Sequence, residues 1–187
     1  SSGQLGKSII QKKSKNIELL TPNKSEFNLI NGIGCYEYIV SNKPDWVINS
    51  GAYTNVDKAE KEKNLAYRIN AEGPQFIAKA VKNIGGKLLQ ISTDYVFNGK
   101  QKTPYLPYQS LSPINTYGKT KAKAEEFLAD ILVDNNQLSI LRTSWLISNK
   151  GKNFATKMIH LNDQKNEINV VCDQIGSPTC CKSLILF

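Results

Sequence analysis

Short apolar runs alternate with longer stretches of helical periodicity along the chain, and this alternation restricts the fold more than any other feature. Five runs of consecutive apolar or β-branched residues predict strands that are buried on both faces. The segments between them place apolar residues three or four positions apart, which predicts helices. The predicted strands are 17–20, 46–49, 87–92, 138–145 and 168–173, and the predicted helices are 4–13, 32–42, 64–84, 117–134 and 153–165. This order predicts an α/β fold with a doubly wound parallel sheet of the Rossmann type.

The stretch 97–115 lies between a predicted strand and a predicted helix and is rich in Pro, Ser and Tyr. It is interpreted as one long ordered loop. Loops of this length in compact domains usually carry function. We therefore expect this loop to border the functional site.

The chain opens with SSGQLGKSII, in which Gly3 and Gly6 stand three positions apart at the start of a predicted helix. In a dinucleotide-binding fold the first strand ends in a glycine turn, and the N-terminus of the next helix faces the pyrophosphate. Gly3 and Gly6 have the spacing of the last two glycines of such a turn. Glycines at this spacing also occur in plain turns, so the stretch does not establish a nucleotide site by itself.

Tyr117 and Lys121 stand four positions apart in YGKTK and share one face of a predicted helix. A free phenol has a pKa of about 10, and a neighbouring ammonium lowers that pKa and makes the phenol a better proton donor. A hydroxyl from Ser92 or Thr93, at the end of a predicted strand, can hold a carbonyl against Tyr117. The set predicts carbonyl reduction with a nicotinamide hydride and a Tyr117 proton. The alternative is a Y-x-x-x-K spacing that arises by chance.

The chain carries 24 basic side chains, all but two of them lysine, against 16 acidic ones, and its net charge is +8. Nucleic-acid binding needs basic residues clustered on one face, with arginine or aromatic readers among them. The lysines are scattered instead, which favours a solvated surface that attracts anionic ligands such as nucleotides. We expect no nucleic-acid partner.

No apolar run approaches the roughly 20 residues that a membrane span requires, so we expect no membrane association. The four cysteines, Cys35, Cys172, Cys180 and Cys181, form no C-x-x-C pair. This pattern argues against a zinc site or a disulfide framework and predicts a cytoplasmic protein. The single histidine, His160, is interpreted as a surface or packing residue, and no metal-binding residues are predicted.

Longer strings in the sequence resemble the extended short-chain dehydrogenase/reductase family and, within it, the dTDP-4-dehydrorhamnose reductases. They run from Gly3 to about Thr179 and are GQLG, PDWVINSGAYTNVDKAE, AYRINAEG, ISTDYVFNG, the spaced pattern P..P.N.YGKTK..AE, LRTSWL and DQIGSPT. AYTNVDKAE together with STDYVF separates these reductases from the epimerases and dehydratases that share the triad. The resemblance implies a Rossmann-like, NADP-dependent oxidoreductase. It would reduce the C4 ketone of dTDP-4-dehydro-L-rhamnose in the synthesis of nucleotide sugars for cell-surface polysaccharide.

The resemblance also implies which residues bind the cofactor. They are Gly3, Gln4, Leu5 and Gly6 at the pyrophosphate, Asn28 and Leu29 near the adenine, the small-residue run Ser50, Gly51 and Ala52, and Tyr117 and Lys121 at the nicotinamide ribose. Asn28 stands where the family has an acid, which weakens the case for that contact.

Further positions carry implied roles in catalysis and substrate binding. The implied catalytic triad is Thr93, Tyr117 and Lys121. The residues implied to lie near nicotinamide or sugar are Thr54, Val56, Asp57, Tyr95 and Trp145. Asn70 is implied to help order the site. Each of the residues outside the triad has a plainer interpretation. Tyr95 and Trp145 are then core aromatics, Asp57 is a surface charge and Asn70 is a satisfied buried amide.

The segment LLTPNKSE decides the choice of nicotinamide cofactor. An acid at the end of the second strand accepts the ribose hydroxyls of NAD. Thr21 and Asn23 stand there instead, Lys24 can pair with a 2′-phosphate, and Glu26 lies too far along to reverse this. The sequence therefore predicts NADP(H), with NADH as the alternative. The resemblance allows magnesium and a homodimer, and the sequence offers no magnesium site.

The predicted domains are an NADP-binding domain over 1–150 and the start of a sugar-nucleotide lobe over 151–187. The family's first strand is not found before Gly3, and the resemblance stops after Thr179. In the usual strand order the first strand is central, and each buried backbone group left unpaired costs about 1–3 kcal/mol. We therefore expect an incomplete chain of low stability and little activity.

Two other functions remain open on the sequence. One is a non-catalytic, NADP-binding regulatory subunit of the same fold, as in methionine adenosyltransferase. The other is a nucleotide-sugar 4-ketoreductase with a different sugar.

Overall fold

The computed structural model describes residues 2–133, 136–149, 151 and 153–185. The chain falls into two compact units, one formed by Pro22–Arg142 and the other by Ser1–Thr21 together with Thr143–Phe187. We call them the sheet unit and the terminal unit. The predicted domain boundary at residue 150 stays a prediction.

The sheet unit is built on three strands, β1 (Trp46–Asn49), β2 (Lys87–Thr93) and β3 (Leu138–Thr143), hydrogen-bonded in the order β1-β2-β3. β1 and β2 run parallel, with Trp46 opposite Lys87 and Asn49 opposite Gln90. The carboxyl ends of parallel strands meet at one edge of a sheet, where α/β proteins bind their ligands. The residues that follow β1 and β2 are therefore brought to this edge.

Helices pack around this sheet and supply its core. They are α2 (Gly32–Asn42), α3 (Val56–Ala59), α4 (Lys63–Tyr67), α5 (Gly73–Ile84) and α6 (Thr116–Ile131), and a π-helical turn over Arg68–Glu72 joins α4 to α5. The predicted helix over 64–84 is thus one helical stretch with a π-turn inside it. Its apolar stripe is confirmed, since Ile77 and Val81 are fully buried beside Leu88 of β2 and Leu128 of α6.

Local sequence sets the ends of these helices. Asn31 accepts a hydrogen bond from the Gly34 amide at the start of α2, and Asn115 does the same for the Gly118 amide at the start of α6. Lys43 ends α2 in the left-handed conformation directly before Pro44, which cannot continue a helix. Gly85 ends α5 at a positive φ of 69°, a conformation that glycine adopts without strain.

The loop over 97–115 is ordered, as its composition predicts. Phe97 stacks on Tyr105 with ring centroids 4.2 Å apart, and Phe97 and Val96 form a small buried cluster with Ala122 of α6. The Ser112 amide donates to the Val96 carbonyl over 2.9 Å. These contacts hold the loop against the N-terminal half of α6.

The terminal unit contains α1 (Gln4–Lys12), α7 (Phe154–Asn162) and two short parallel strands, β4 (Leu146–Ile147) and β5 (Thr179–Cys180). Asn153 and Thr156 close a capping box at the start of α7. β4 and β5 are absent from the predicted strands, because two-residue strands are too short to show a pattern.

Two predicted strands are wrong. The backbone over 17–20 and over 168–173 forms no strand, and the predicted strand 138–145 ends at Thr143. A strand needs a neighbour to complete its backbone hydrogen bonds, and apolar residues alone do not supply one. Ile17, Val170 and Val171 are at least half exposed, so these runs also lack the buried faces expected of central strands.

Candidate active site

Thr93 is the last residue of β2 and lies at the carboxyl edge of the sheet. Its hydroxyl oxygen accepts the Tyr95 amide over 3.2 Å and donates to Asp94 over 3.0 Å, and it lies close enough to Tyr117 to influence the pKa of that phenol. The Thr93 side chain is buried. Two residues of the predicted triad, from elements far apart in sequence, are thus brought close together.

Tyr117 lies in the first turn of α6, beside the short turn that follows β2. Its ring meets that of Tyr95 edge to face, with centroids 5.6 Å apart. One turn further along α6, Lys121 donates from Nζ to the Ile91 carbonyl of β2 over 2.7 Å. α6 therefore sets both predicted residues against the end of β2.

Gly118 allows this close approach of α6. A Cβ atom at this position falls within hard-contact distance of the Tyr95 carbonyl oxygen, 3.0 Å from the carbonyl carbon and 3.1 Å from Cβ of Pro113. Backbone cannot move aside as a flexible side chain does. The glycine of the YGKTK string is thus required by packing against the turn that carries Tyr95.

We expect Gly118→Ala to lower the free energy of unfolding by about 1–3 kcal/mol, because overpacking shifts α6 away from the turn. The loss should appear although alanine favours helix by about 1 kcal/mol over glycine. Urea unfolding measures it, with Lys119→Ala at the next, exposed position as control. An unchanged or increased unfolding free energy for Gly118→Ala contradicts the packing requirement.

Lys121 is almost completely buried, with 3% of its surface exposed. Burial penalises the ammonium and lowers the pKa of Lys121 to about 8, and the nearby Glu125 carboxylate partly offsets this effect. Lys121 is therefore mostly charged at neutral pH and loses its proton in mildly alkaline solution.

Burial raises the pKa of Tyr117 to about 12, and the charge of Asp94 and the Tyr95 phenol add to the rise. The nearby Thr93 hydroxyl acts in the opposite direction. The expected lowering of this pKa by Lys121 is therefore wrong for this structure. The reason is geometric, since the Lys121 ammonium is bonded to the Ile91 carbonyl rather than to the phenol.

The sequence offers Ser92 and Thr93 equally as the hydroxyl that holds a carbonyl, and the structure distinguishes them. The Ser92 hydroxyl donates to the Glu125 carboxylate inside the protein. The Thr93 hydroxyl instead lies near the Tyr117 phenol. The geometry favours Thr93 as the hydroxyl that orients a carbonyl.

The run Ser50, Gly51 and Ala52 follows β1 directly and reaches the same edge of the sheet as Thr93. The Gly51 amide donates to Oδ1 of Asn49 over 3.2 Å, and a Cβ on Gly51 would lie 3.0 Å from Cδ1 of Leu29. The structure therefore brings Leu29 and Gly51 together, and their contact with a cofactor stays a prediction.

Asn28 is directed into its own turn. Its Oδ1 accepts the Ile30 amide over 3.2 Å, and its backbone carbonyl accepts hydrogen bonds from the Asn31 amide and the Cys35 thiol. The side chain thus holds the entry to α2, and its predicted contact with adenine stays a prediction.

Asn70, in the π-turn, links the segment after β1 to α6. It accepts the Tyr53 amide over 2.7 Å and donates to the Tyr53 carbonyl and to Oγ1 of Thr120. Thr120 in turn donates to the Tyr117 carbonyl. Asn70 therefore joins the segment after β1 to the first turns of α6, and its role in ordering a site stays a prediction.

The remaining implied substrate residues of the sheet unit lie around α3. Thr54 is exposed in the segment before α3, Val56 is half-buried in its first turn, and Asp57 lies close enough to Tyr95 to raise the pKa of that phenol. Burial is the larger cause of the rise at Tyr95. Their contacts with a substrate stay predictions.

The terminal unit holds the predicted phosphate turn. Gly3 caps α1 in an extended conformation, Leu5 and Gly6 are buried, and Gln4 accepts a hydrogen bond from Nδ2 of Asn153 over 2.8 Å. Trp145 has a positive φ of 44°, is 43% exposed and packs its ring against Gly176. A core role for Trp145 is therefore wrong.

An ion pair between α6 and β3, close to the end of β2, was not predicted from the sequence. Glu125 lies on α6 and Arg142 on β3, and Nη2 of Arg142 is 2.6 Å from Oε2 of Glu125. Their separation of 17 positions gives no local pattern. The one available signal was the spacing of four between Lys121 and Glu125, which places both on one face of α6.

Within the described ranges, no three His, Cys, Asp or Glu side chains cluster closely enough to hold a metal ion. No helix of the described residues is long and apolar enough to cross a membrane.

Comparison with known proteins gives the family. The model of the RmlD substrate binding domain matches residues 1–186. The chain belongs to this family. A dTDP-4-dehydrorhamnose reductase of Sinorhizobium fredii is 37% identical over 95% of the chain and 59% of its own length. The spore coat polysaccharide biosynthesis protein SpsK of Bacillus subtilis is 40% identical over 97% of the chain and 64% of its own length.

Solved structures of the RmlD family share this fold. A dTDP-4-dehydrorhamnose reductase of Bacillus anthracis in complex with NADP is 39% identical, with a TM-score of 0.93 over 99% of this chain and 65% of its own. A Clostridium acetobutylicum dTDP-4-dehydrorhamnose reductase gives 0.91 at 39% identity. These likenesses confirm the Rossmann-like α/β prediction and the resemblance to an oxidoreductase family. The chain spans about six-tenths of the length of the curated relatives that it matches.

Proposed function

We propose that the protein reduces the C4 ketone of dTDP-4-dehydro-L-rhamnose with NADPH and forms dTDP-L-rhamnose. The observation that carries the proposal is the position of the Thr93 hydroxyl beside the Tyr117 phenol, with Lys121 one turn away on α6. The names of the relatives support the choice of reaction and of sugar.

The residues present fit a nicotinamide cofactor. Small residues follow β1 where a cofactor crosses the strand ends, and a Cβ on Gly51 would press on Leu29. The proposed cofactor residues are Gly3, Gln4, Leu5, Gly6, Asn28, Leu29, Ser50, Gly51, Ala52, Tyr117 and Lys121. When bound, the cofactor supplies the hydride for the ketone.

Lys24 supports NADP(H) as the cofactor. Asn23 binds the Ser25 and Glu26 amides through Oδ1, while the Glu26 carboxylate accepts the Asn23 amide. Glu26 is therefore held in a local turn, and Lys24 is exposed to pair with a 2′-phosphate. The Bacillus anthracis relative was solved with NADP.

Tyr117 supplies the proton in this proposal. Because its pKa is raised to about 12, the phenol keeps its proton at neutral pH. Thr93 and Tyr117 present two hydroxyls to one carbonyl oxygen, and the negative charge that develops there draws the proton from the phenol. Lys121, one turn further along α6, has a pKa of about 8 and so keeps a positive charge near the site at neutral pH.

Thr54, Val56, Tyr95 and Trp145 are the proposed substrate residues. Tyr95 lies against Tyr117 and is only half-buried, so one face of its ring is available beside the reacting carbonyl. Trp145, in the LRTSWL string, is 43% exposed in the terminal unit, so part of its ring is available to a ligand.

The test is coupled oxidation of NADPH by the protein expressed from its full reading frame. NADPH should be oxidised when dTDP-4-dehydro-L-rhamnose is added. NADH in its place should be oxidised more slowly. Consumption only with a different 4-keto sugar nucleotide favours a related ketoreductase. Tight NADPH binding without consumption for any sugar nucleotide contradicts the proposal and favours a regulatory subunit.

A further inference from the structure

The Glu125–Arg142 ion pair lies at the junction of α6, β2, β3 and the loop over 97–115. Arg142 donates from Nε to both Glu125 oxygens, over 3.2 and 3.1 Å, and from Nη2 to Oε2. The Glu125 side chain is 5% exposed and that of Arg142 22%. Charge pairs this well buried and this well bonded are costly to break, because the remaining partner stays buried alone.

Each member of the pair also contacts another part of the site. Glu125 accepts the Ser92 hydroxyl, directly before Thr93 in β2. Arg142 donates from Nη1 to the Pro107 carbonyl over 2.7 Å and lies over the Phe97 ring at 5.2 Å. The pair therefore ties α6 to the end of β2 on one side and to the loop on the other.

Glu125 also faces Lys121. The two residues are four positions apart on α6 and so lie on the same face, one turn from each other. Both are buried, and charges interact more strongly in such surroundings than in water.

We propose that Glu125 and Arg142 are positioning residues for the Thr93–Tyr117–Lys121 triad. Glu125 helps to keep Lys121 positively charged, and Arg142 holds the loop over 97–115 against α6. The proposal rests on the proposed function for its catalytic meaning, and its structural part is measurable without turnover.

Several titratable side chains surround α6, but few of them influence the pKa of Lys121. Titratable side chains on the elements packed against α6 include Glu60, Lys63, Tyr67, Asp94, Tyr95 and Arg142. Among the described residues, the charge whose field raises the pKa of Lys121 is that of Glu125, against the larger lowering by burial. Removal of this carboxylate should therefore leave the ammonium less stable.

The first experiment measures the Lys121 titration by NMR of lysine labelled at Cε and Nζ, with Lys121→Arg to assign the signal. Glu125→Gln keeps the shape and an acceptor for Ser92 but removes the charge. We expect the midpoint to move to lower pH by at least about half a pH unit. Glu126→Gln is the matched control, since Glu126 is exposed on the same helix and pairs with Lys123. A midpoint equal in Glu125→Gln and Glu126→Gln overturns the role of Glu125.

The second experiment follows the loop by amide hydrogen exchange. Arg142→Lys keeps the charge but loses the planar fork that holds both Glu125 and the Pro107 carbonyl. The Gln109 and Ser112 amides, both bonded within the loop region, should exchange at least about tenfold faster. Arg68→Lys is the control, because Arg68 is exposed and donates to the Ile30 carbonyl. Unchanged exchange in Arg142→Lys overturns the role of Arg142.

The pH dependence of kcat/KM is the third measurement. It separates a role of Glu125 in keeping Lys121 charged from a purely structural role. If reduction needs the Lys121 ammonium, the alkaline limb of the kcat/KM profile should move to lower pH in Glu125→Gln by the same amount as the NMR midpoint. A uniform loss at all pH values with an unshifted limb contradicts the link to Lys121. Failure of the wild-type protein to reduce any ketone would refute the proposed function and leave both structural experiments valid.

Discussion

Tyr117→Phe should lower kcat for ketone reduction at least about a thousandfold, because it removes the proton donor and leaves the rest of the site in place. The ring keeps its edge-to-face contact with Tyr95, so α6 should stay in position. The Kd for NADPH should change little, since binding relies on many contacts and loses one hydroxyl. Single-turnover kinetics and fluorescence titration of NADPH measure the two quantities.

Tyr108→Phe is the matched control for this substitution. Tyr108 is 84% exposed in the loop over 97–115, so loss of its hydroxyl should leave kcat and the NADPH Kd unchanged. Retained turnover in Tyr117→Phe would refute the assignment of Tyr117 as the acid. A parallel collapse of NADPH binding would show that the phenol mainly holds the cofactor.

Lys121→Met should remove a strong pH dependence of folding stability. The folded pKa of Lys121 is about 8 against an ordinary 10.5, so the unfolded chain binds more protons between these values. Stability from this group therefore rises as pH increases from 8 to 10.5 and is lowest below pH 8. The difference amounts to about 3 kcal/mol.

Urea unfolding of wild type and Lys121→Met at neutral pH and near pH 10 measures this difference. The raised pKa of Tyr117 lowers stability between its ordinary value of 10 and about 12, and this contribution is the same in wild type and variant, so it cancels in the comparison. Loss of the bond to the Ile91 carbonyl lowers stability in the variant equally at both pH values. Lys119→Met, exposed on the same helix, is the control. If the difference in unfolding free energy between wild type and Lys121→Met does not increase with pH, Lys121 is not desolvated in the folded protein.

Local signals in the sequence predicted the elements that carry the triad. The helical pattern predicted a helix from residue 117, and α6 begins at Thr116, while the apolar run at 87–92 predicted β2. Y-x-x-x-K spacing then placed Tyr117 and Lys121 on one face, because helix geometry follows from sequence separation alone.

Features that depend on distant partners could not be predicted. The runs at 17–20 and 168–173 have the composition of strands but no strand partner among the described residues. The pKa of Tyr117 moved opposite to expectation, because burial and the direction of the Lys121 ammonium are three-dimensional properties. The Glu125–Arg142 pair joins residues 17 positions apart, and the sequence around neither residue indicates its partner.

Transfer of deuterium is the most direct test of the proposed reaction. The protein from the full reading frame is incubated with dTDP-4-dehydro-L-rhamnose and NADPH that carries deuterium at the nicotinamide C4. We predict dTDP-L-rhamnose with one deuterium on sugar carbon 4, seen by mass spectrometry and NMR, and none in the Tyr117→Phe protein. Recovery of unchanged ketone from wild-type protein that binds NADPH would contradict the account.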